Sequence, residues 1–175
     1  MTERAITIDI ANLEATLAVG RRLGVALASG HVIGLIGPLG SGKTMLVKGL
    51  AAGAGVVDPR QVNSPTFVIV NEYEAGGRGG PPLRIYHVDT YRLGGSDELE
   101  ALGFDEMCAS GAVVIEWADR VADLLPADVL TVAIEPIDAD RRRFHCWASG
   151  PAAQRLLTAL PTALRRLGRK PLPPL

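Results

Sequence analysis

Eight consecutive residues carry the most specific chemistry in this chain: Gly37-Pro38-Leu39-Gly40-Ser41-Gly42-Lys43-Thr44 fits the pattern G-x-x-x-x-G-K-[ST] at every fixed position. Four residues between the first two fixed glycines let a chain wrap around an anion, with successive backbone N–H groups pointing inward. Gly40 and Gly42 permit the close approach and unusual dihedrals that such a loop needs. In this pattern the lysine, here Lys43, reaches the β- and γ-phosphates and the following hydroxyl, here Thr44, binds Mg²⁺. The chemistry is therefore nucleotide binding. A glycine-rich turn that binds nothing is the competing reading. The dinucleotide fingerprint G-x-G-x-x-G fails, because Met45 stands where its third glycine would follow Gly40 and Gly42.

Phosphoryl transfer leaves a protein little covalent work, so beyond the loop it needs a metal anchor and a group that positions the attacking oxygen. Two carboxylates follow apolar runs: Asp89 ends Leu83 to Val88, and Glu116 ends Ala112 to Ile115. Ligands of open parallel sheets sit at the carboxyl ends of strands, which is where both acids fall. Either acid alone is also explained as a strand-end cap. Ser64-Pro65-Thr66 is a hydroxyl-bearing turn of the kind that orders on a γ-phosphate in nucleotide switches, and equally an ordinary turn. His87, on an apolar strand, reads as a satisfied core histidine more readily than as an acid–base group. Trp117 fits either a place under the sheet or a partner surface. Arg92 and the run Arg141-Arg142-Arg143 fit phosphate pairing or plain solvation.

These residues need elements to place them. His31 to Ile36 is a short apolar run suited to a strand buried on both faces, and Lys43 to Leu50 reads as a helix whose N-terminus favours phosphate. Strand before and helix after is the context the loop pattern requires. Upstream, Ala5 to Ile10 predicts a strand, and Asn12 caps a helix running to about Ala28 that packs on the sheet. Downstream, the helix ends in Gly53 and Gly55, and Thr66 to Tyr73 predicts a strand that forms a hairpin with Leu83 to Val88 across the Gly76 to Pro82 insert. Ser96 to Leu102 predicts a short helix, Ala112 to Ile115 a buried strand, and Trp117 to Leu125 a helix closed by Pro126. Val129 to Ile134 and Phe144 to Trp147 form a second hairpin turned at Asp138 to Arg141, and a last helix covers Ala152 to Leu167. One domain over 1–168 and a disordered proline-rich tail at 169–175 are expected.

Composition narrows the function classes. The chain has 175 residues and a net charge of −1, which offers no general attraction to nucleic acid or membrane. Cys108 and Cys146 are too few for a disulfide framework and lack metal-ligand spacing, so reduced thiols are expected. Charges at Glu3, Arg4, Asp9 and Glu14 leave no place for a signal peptide, and no apolar run reaches spanning length. A soluble, cytoplasmic protein is the expectation.

The order of motifs is itself informative. The loop Gly37 to Thr44, then Ser64-Pro65-Thr66-Phe67, Asn71-Glu72-Tyr73, Tyr86-His87-Val88-Asp89-Thr90-Tyr91-Arg92-Leu93, Glu98-Leu99 and Ile115-Glu116-Trp117 resembles the TsaE family. These are small bacterial P-loop ATPases of tRNA threonylcarbamoyladenosine biosynthesis. The resemblance implies ATP and Mg²⁺ as cofactors and a P-loop NTPase-like three-layer α/β fold, with a mostly parallel sheet, antiparallel edge hairpins and helices on both faces. It implies two partners, a threonylcarbamoyl-transferase subunit and its inactive paralogue, with tRNA met only through that complex. ATP hydrolysis, slow without the partners, would then reset the complex. Carried over, Gly37, Pro38, Leu39, Gly40, Ser41, Gly42 and Lys43 hold the phosphates, and Thr44 and Glu116 hold the metal. Thr66 belongs to the switch segment, Asp89 supports catalysis, Trp117 lies at the edge of the site, and Asn12 to Thr16 and Arg141 approach the base. The Gly76 to Pro82 insert and the proline-rich tail depart from the family pattern.

Three other classes compete. A small-molecule kinase needs a phosphate-closing lid, for which Arg141 to Arg143 is the sole candidate; a GTPase lacks D-x-x-G and N-K-x-D here; a non-hydrolytic module would use the nucleotide only to gate association.

Overall fold

The chain folds around one eight-stranded sheet of order β3-β4-β5-β2-β6-β7-β1-β8. A computed structural model describes residues 4–76, 81–160 and 165–166, so residues 77–80 of the insert and the tail at 169–175 lie outside the described residues. The strands are β1 (Arg4–Ile10), β2 (Val32–Ile36), β3 (Val70–Ala75), β4 (Leu83–Asp89), β5 (Ala112–Glu116), β6 (Leu130–Pro136), β7 (Arg142–Ala148) and β8 (Arg165–Arg166). The helices are α1 (Leu13–Ala26), α2 (Lys43–Ala54), α3 (Ser96–Ala101), α4 (Phe104–Ser110) and α5 (Pro151–Ala159). The four central strands β4, β5, β2 and β6 run parallel. The hairpin β3–β4 closes one edge, and β7 and β1 continue the other side antiparallel.

Strand alternation sorts the core into two layers. Ile33 and Leu35 of β2, Val114 of β5 and Ile85 of β4 face α1, α2 and α5, while Val32, Val113, Ile115 and Val88 face α3, α4 and the turn after β5. The result is a three-layer α/β arrangement with helices on both faces of the sheet.

The expected packing of α1 on the sheet is only part of what is found. Val19 and Leu23 do reach the sheet-side core, but the helix lies chiefly along α2, with Gly20 and Gly24 meeting Gly49 and Gly53. A methyl group at Gly24 would fall 1.9 Å from the Leu50 carbonyl oxygen, and one at Gly53 would fall 2.1 Å from that of Arg21. The backbones touch, so no side chain fits between them. Gly53 thus belongs to this contact, and Gly55 alone terminates α2 in the left-handed region at φ 95.

Three boundaries differ from the sequence expectation, and one element was not expected. The strand expected from Thr66 starts at Val70, because Val68 and Ile69 both donate N–H bonds to the Pro65 carbonyl and close a turn. The helix expected at Trp117 to Leu125 is a 3-10 turn over Ala118–Val121, since Trp117 itself is left-handed at φ 60. The last helix stops at Ala159: Leu160 precedes a proline and is extended. Finally, α4 is an unexpected element, entered through Gly103 at φ 84 and anchored by buried Phe104 and Met107.

Candidate active site

The parallel register places the expected residues at one end of the sheet. Asp89 pairs with Glu116 across β4 and β5, and Glu116 pairs with Leu35 of β2, two residues before the loop begins. Neighbouring strands lie about 5 Å apart, so two carboxylates distant in sequence end beside the loop.

Within the loop Gly37, Gly40 and Gly42 have φ of 149, 76 and 108, dihedrals that side-chain-bearing residues rarely adopt. Gly42 caps α2, whose first-turn N–H groups have no preceding turn to serve as acceptor. The Pro38 carbonyl accepts from the Ser41 N–H, the Leu39 side chain is exposed, and Ser41 is buried with its hydroxyl unpartnered among the described residues. Lys43, also buried, donates to the carbonyls of Gly37 (2.7 Å) and Pro38 (3.1 Å). Its Nζ lies 3.7 Å from the centre of the Trp117 ring, which in turn meets Tyr91 at 5.0 Å. Burial lowers the Lys43 pKa, opposed by the charges of Glu116, Asp89 and Asp119.

Across the cleft, Thr44 Oγ1 donates to Glu116 at 2.8 Å (Oε1) and 3.1 Å (Oε2), and His87 Nε2 lies 2.8 Å from the same Oε1. Asp89, 2 % exposed, accepts from Ser64 (2.5 Å) and Thr66 (2.7 Å) on Oδ2 and from the Tyr91 N–H (3.0 Å) on Oδ1. The Ser-Pro-Thr turn is thereby fastened to one carboxylate, and the hydroxyl at the head of α2 to the other.

Two non-glycine residues with positive φ flank this set, Ile69 at 67 and Trp117 at 60. Such conformations cost on the order of 1–3 kcal/mol and persist only where surroundings enforce them. The Ile69 carbonyl accepts the Asp89 N–H, and Thr90 Oγ1 donates to the carbonyls of Glu116 and Trp117. Arg120 then holds the Thr90 and Leu93 carbonyls.

The base-side candidates sit differently. Asn12 accepts the Ala15 N–H as the cap of α1, Thr16 is buried, and the exposed Arg141 guanidinium pairs with Asp138 at 2.6 Å. The neighbouring Arg142 is the one that reaches the loop, donating to the Ser41 carbonyl at 3.1 Å and to three carbonyls of the β6–β7 turn. Strand parity with buried Phe144 was the available signal for its direction. Ser64 joins the site together with Thr66, as the hydroxyl-bearing turn suggested, and Thr90 and Tyr91, which the residue pattern did not mark, join it through Trp117 and Asp89.

Glycines 40, 42, Lys43, Thr44, Asp89, Glu116 and Trp117 line a cleft of about 360 Å³, a size suited to a small molecule. A second cleft of about 310 Å³, near the C-terminal ends of α1 and α2, has no charged residue in its lining among the described residues. Among the described residues no group of three or more His, Cys, Asp or Glu side chains could hold a metal ion. The Thr44 hydroxyl with nearby carboxylates still fits Mg²⁺, which takes oxygen ligands and is usually held by one or two carboxylates together with substrate phosphates and water. The left-handed glycine cradle ahead of α2 fits a polyphosphate. Elsewhere, burial pushes the Cys108 thiol up to about 11 and Cys146 up to about 12, and no described helix is long and apolar enough to cross a membrane.

Comparison with known proteins gives one family. Residues 10–144 match the family described as threonylcarbamoyl adenosine biosynthesis protein TsaE. A tRNA threonylcarbamoyladenosine biosynthesis protein TsaE of Mycobacterium bovis is 37% identical over 150 residues, covering 82% of this chain and 87% of the relative. The protein of that name from Bacillus subtilis is 39% identical over 140 residues, covering 79% and 83%, and the one from Streptomyces coelicolor 43% over 118 residues, covering 67% and 76%. The crystal structure of Bacillus subtilis YdiB superposes with a TM-score of 0.72 at 29% identity, covering 90% of this chain and 95% of that one.

Proposed function

This chain belongs to the TsaE family, and from that premise we propose that it is a Mg²⁺-dependent ATPase supporting the threonylcarbamoyl-transferase complex that modifies tRNA. One observation carries the reading: the Thr44 hydroxyl at the head of α2 is bonded to Glu116 at the end of β5, while Asp89 beside it fastens Ser64 and Thr66. That is a metal-side pair and a water-side cluster on the two flanks of one phosphate cradle.

Gly37 to Lys43 bind the phosphates through backbone N–H groups and the Lys43 ammonium, and Glu116 orients the Thr44 hydroxyl. Mg²⁺, when bound by Thr44 and Glu116, supplies neutralisation of charge developing on the transferred phosphoryl group. Asp89 with the hydroxyls of Ser64 and Thr66 orients the attacking water. The Trp117 ring lies against the Lys43 ammonium. Exposed Phe67, Val68, Leu39 and Tyr91 around the cleft suit a site completed by the transferase subunit and its paralogue.

The test is phosphate release from ATP and from GTP, with and without the transferase pair. Release from ATP that the pair stimulates is the expected result. ADP formation that requires an added small acceptor, with the phosphoryl group on that acceptor and no phosphate set free, would indicate a kinase, and binding without release in the presence of the pair would indicate a gating module.

A further inference from the structure

Resting on the metal-holding role proposed for Thr44 and Glu116, we infer that His87 is a positioning residue that fixes the Glu116 carboxylate in the orientation from which it directs the Thr44 hydroxyl. His87 is fully buried on β4, two residues before Asp89 and on the same face of the strand. Its Nε2 lies 2.8 Å from Glu116 Oε1, the oxygen that also accepts Thr44 Oγ1 at 2.8 Å. An ionised carboxylate can only accept, so the proton of this bond belongs to Nε2. The other ring nitrogen, Nδ1, has no hydrogen-bond partner among the described residues. The imidazole is therefore not a core residue satisfied by neighbouring backbone; its one described polar bond goes to the carboxylate.

The arrangement has a mechanical logic. Glu116 reaches Thr44 through three side-chain torsions, and the Thr44 hydroxyl holds it with a single hydrogen shared between Oε1 and Oε2, which leaves the lone pairs of that hydroxyl for a metal but does not fix the carboxylate. His87 adds a second anchor from a different strand, parallel to β5 and in fixed register with it. Behind it, the Tyr73 ring of β3 lies tilted by 34° at 6.3 Å, and the Tyr73 hydroxyl accepts from Asn71 Nδ2, so the imidazole is itself braced. Groups that orient metal ligands from behind typically change metal affinity by about 10–100-fold when removed.

The experiment uses the full chain with ADP. Mn²⁺, standing in for Mg²⁺, is titrated and followed by electron paramagnetic resonance, and affinity for a fluorescent ADP is measured separately in excess chelator. His87→Phe removes the donor; His87→Asn leaves an amide nitrogen too short to reach Glu116; His87→Gln places one near the position of Nε2. His87→Phe and His87→Asn are expected to weaken Mn²⁺ binding by about tenfold or more, with metal-free nucleotide affinity unchanged, and His87→Gln to recover most of the loss. If His87→Phe does not fold, the contrast between Asn and Gln decides. Wild-type Mn²⁺ affinity in the His87 variants, beside a loss in Glu116→Ala and Thr44→Ala, overturns this inference and spares the metal reading. Wild-type affinity in Glu116→Ala and Thr44→Ala overturns both. Equal weakening by Asn and Gln, or a matching loss in chelator, reduces His87 to packing and also overturns the inference.

Discussion

Replacing Asp89 by asparagine keeps the shape of the side chain and removes its charge. In the native site Oδ2 accepts two hydroxyl bonds, from Ser64 at 2.5 Å and Thr66 at 2.7 Å, while Oδ1 accepts the Tyr91 N–H at 3.0 Å. An amide has one acceptor atom. If its oxygen faces the hydroxyls, its NH₂ confronts the Tyr91 N–H; if it faces Tyr91, both hydroxyls must rotate from donating to accepting. Bonds to a charged acceptor contribute about 1.5–3 kcal/mol and neutral ones about 0.5–1.5 kcal/mol, so each of the two hydroxyl bonds weakens by about 1 kcal/mol. Together that is about 2 kcal/mol, or about thirtyfold in the equilibrium that holds the Ser64 to Thr66 turn on the site. Turnover by Asp89→Asn should fall at least that far, and further if the carboxylate also takes a proton from water.

The assay is single-turnover phosphate release, with nucleotide affinity measured in parallel. The carboxylate makes no bond to the phosphate loop, so affinity should stay near wild type. Thr66→Ala acts through Asp89 and should lose activity alone yet add little to Asp89→Asn in a double-mutant cycle. Turnover within about twofold of wild type, or a Thr66→Ala effect that simply adds, would refute the reasoning.

Gly24→Ala gains up to about 1 kcal/mol of helix propensity but places its methyl 1.9 Å from the Leu50 carbonyl oxygen, and overpacking against rigid backbone costs about 1–3 kcal/mol. Urea unfolding should show a net loss of stability; a stabilised variant would contradict the helix contact. Trp117→Ala removes a ring 3.7 Å from Lys43 Nζ, an interaction of about 0.5–2 kcal/mol, and should weaken ATP binding by about two- to thirtyfold with the fold intact. Unchanged affinity in a fluorescence titration would show that the ring does not support Lys43, and collapse of the fold would show that it belongs to the core. At the β6–β7 turn, the backbone N–H and then the guanidinium of Arg141 lower the Asp138 pKa from 3.8 to about 2. A depressed folded-state pKa means that its stabilisation is full above the ordinary value and is lost as pH falls toward about 2. The melting-temperature difference between wild type and Asp138→Asn, small because the group is exposed, should shrink over that window; growth of the difference on acidification would reverse the sign.

Features set by neighbours in sequence were legible from the sequence. The phosphate loop is one, because its strand, glycines, lysine and hydroxyl are consecutive and its chemistry lies mainly in the backbone. The Asn12 cap and the Asp138 turn are others, each made by a side chain bonding a backbone group three residues away or closer. The two acids were found because strand ends are where a parallel sheet presents ligands. Long-range contacts were less visible. Trp117 starts no helix because Thr90, from the preceding strand connection, holds its carbonyl. The Thr66 stretch is no strand because Asp89, from the next strand, holds its hydroxyl. In α2 glycines that read as helix breakers serve a bare backbone contact with α1.

By itself the sequence determined that a phosphate-loop pattern follows β2 and which residue types attend it, since that information sits in residue order and local backbone preference. Tertiary structure alone decided who those attendants answer to. Register between β4 and β5 brings Asp89 level with Glu116 and sets His87 within 2.8 Å of the carboxylate that orients Thr44. Twenty-nine positions separate His87 from Glu116 and seventy-two separate Thr44 from it, so only the sheet, by fixing which strands are neighbours and at what offset, could make them one site.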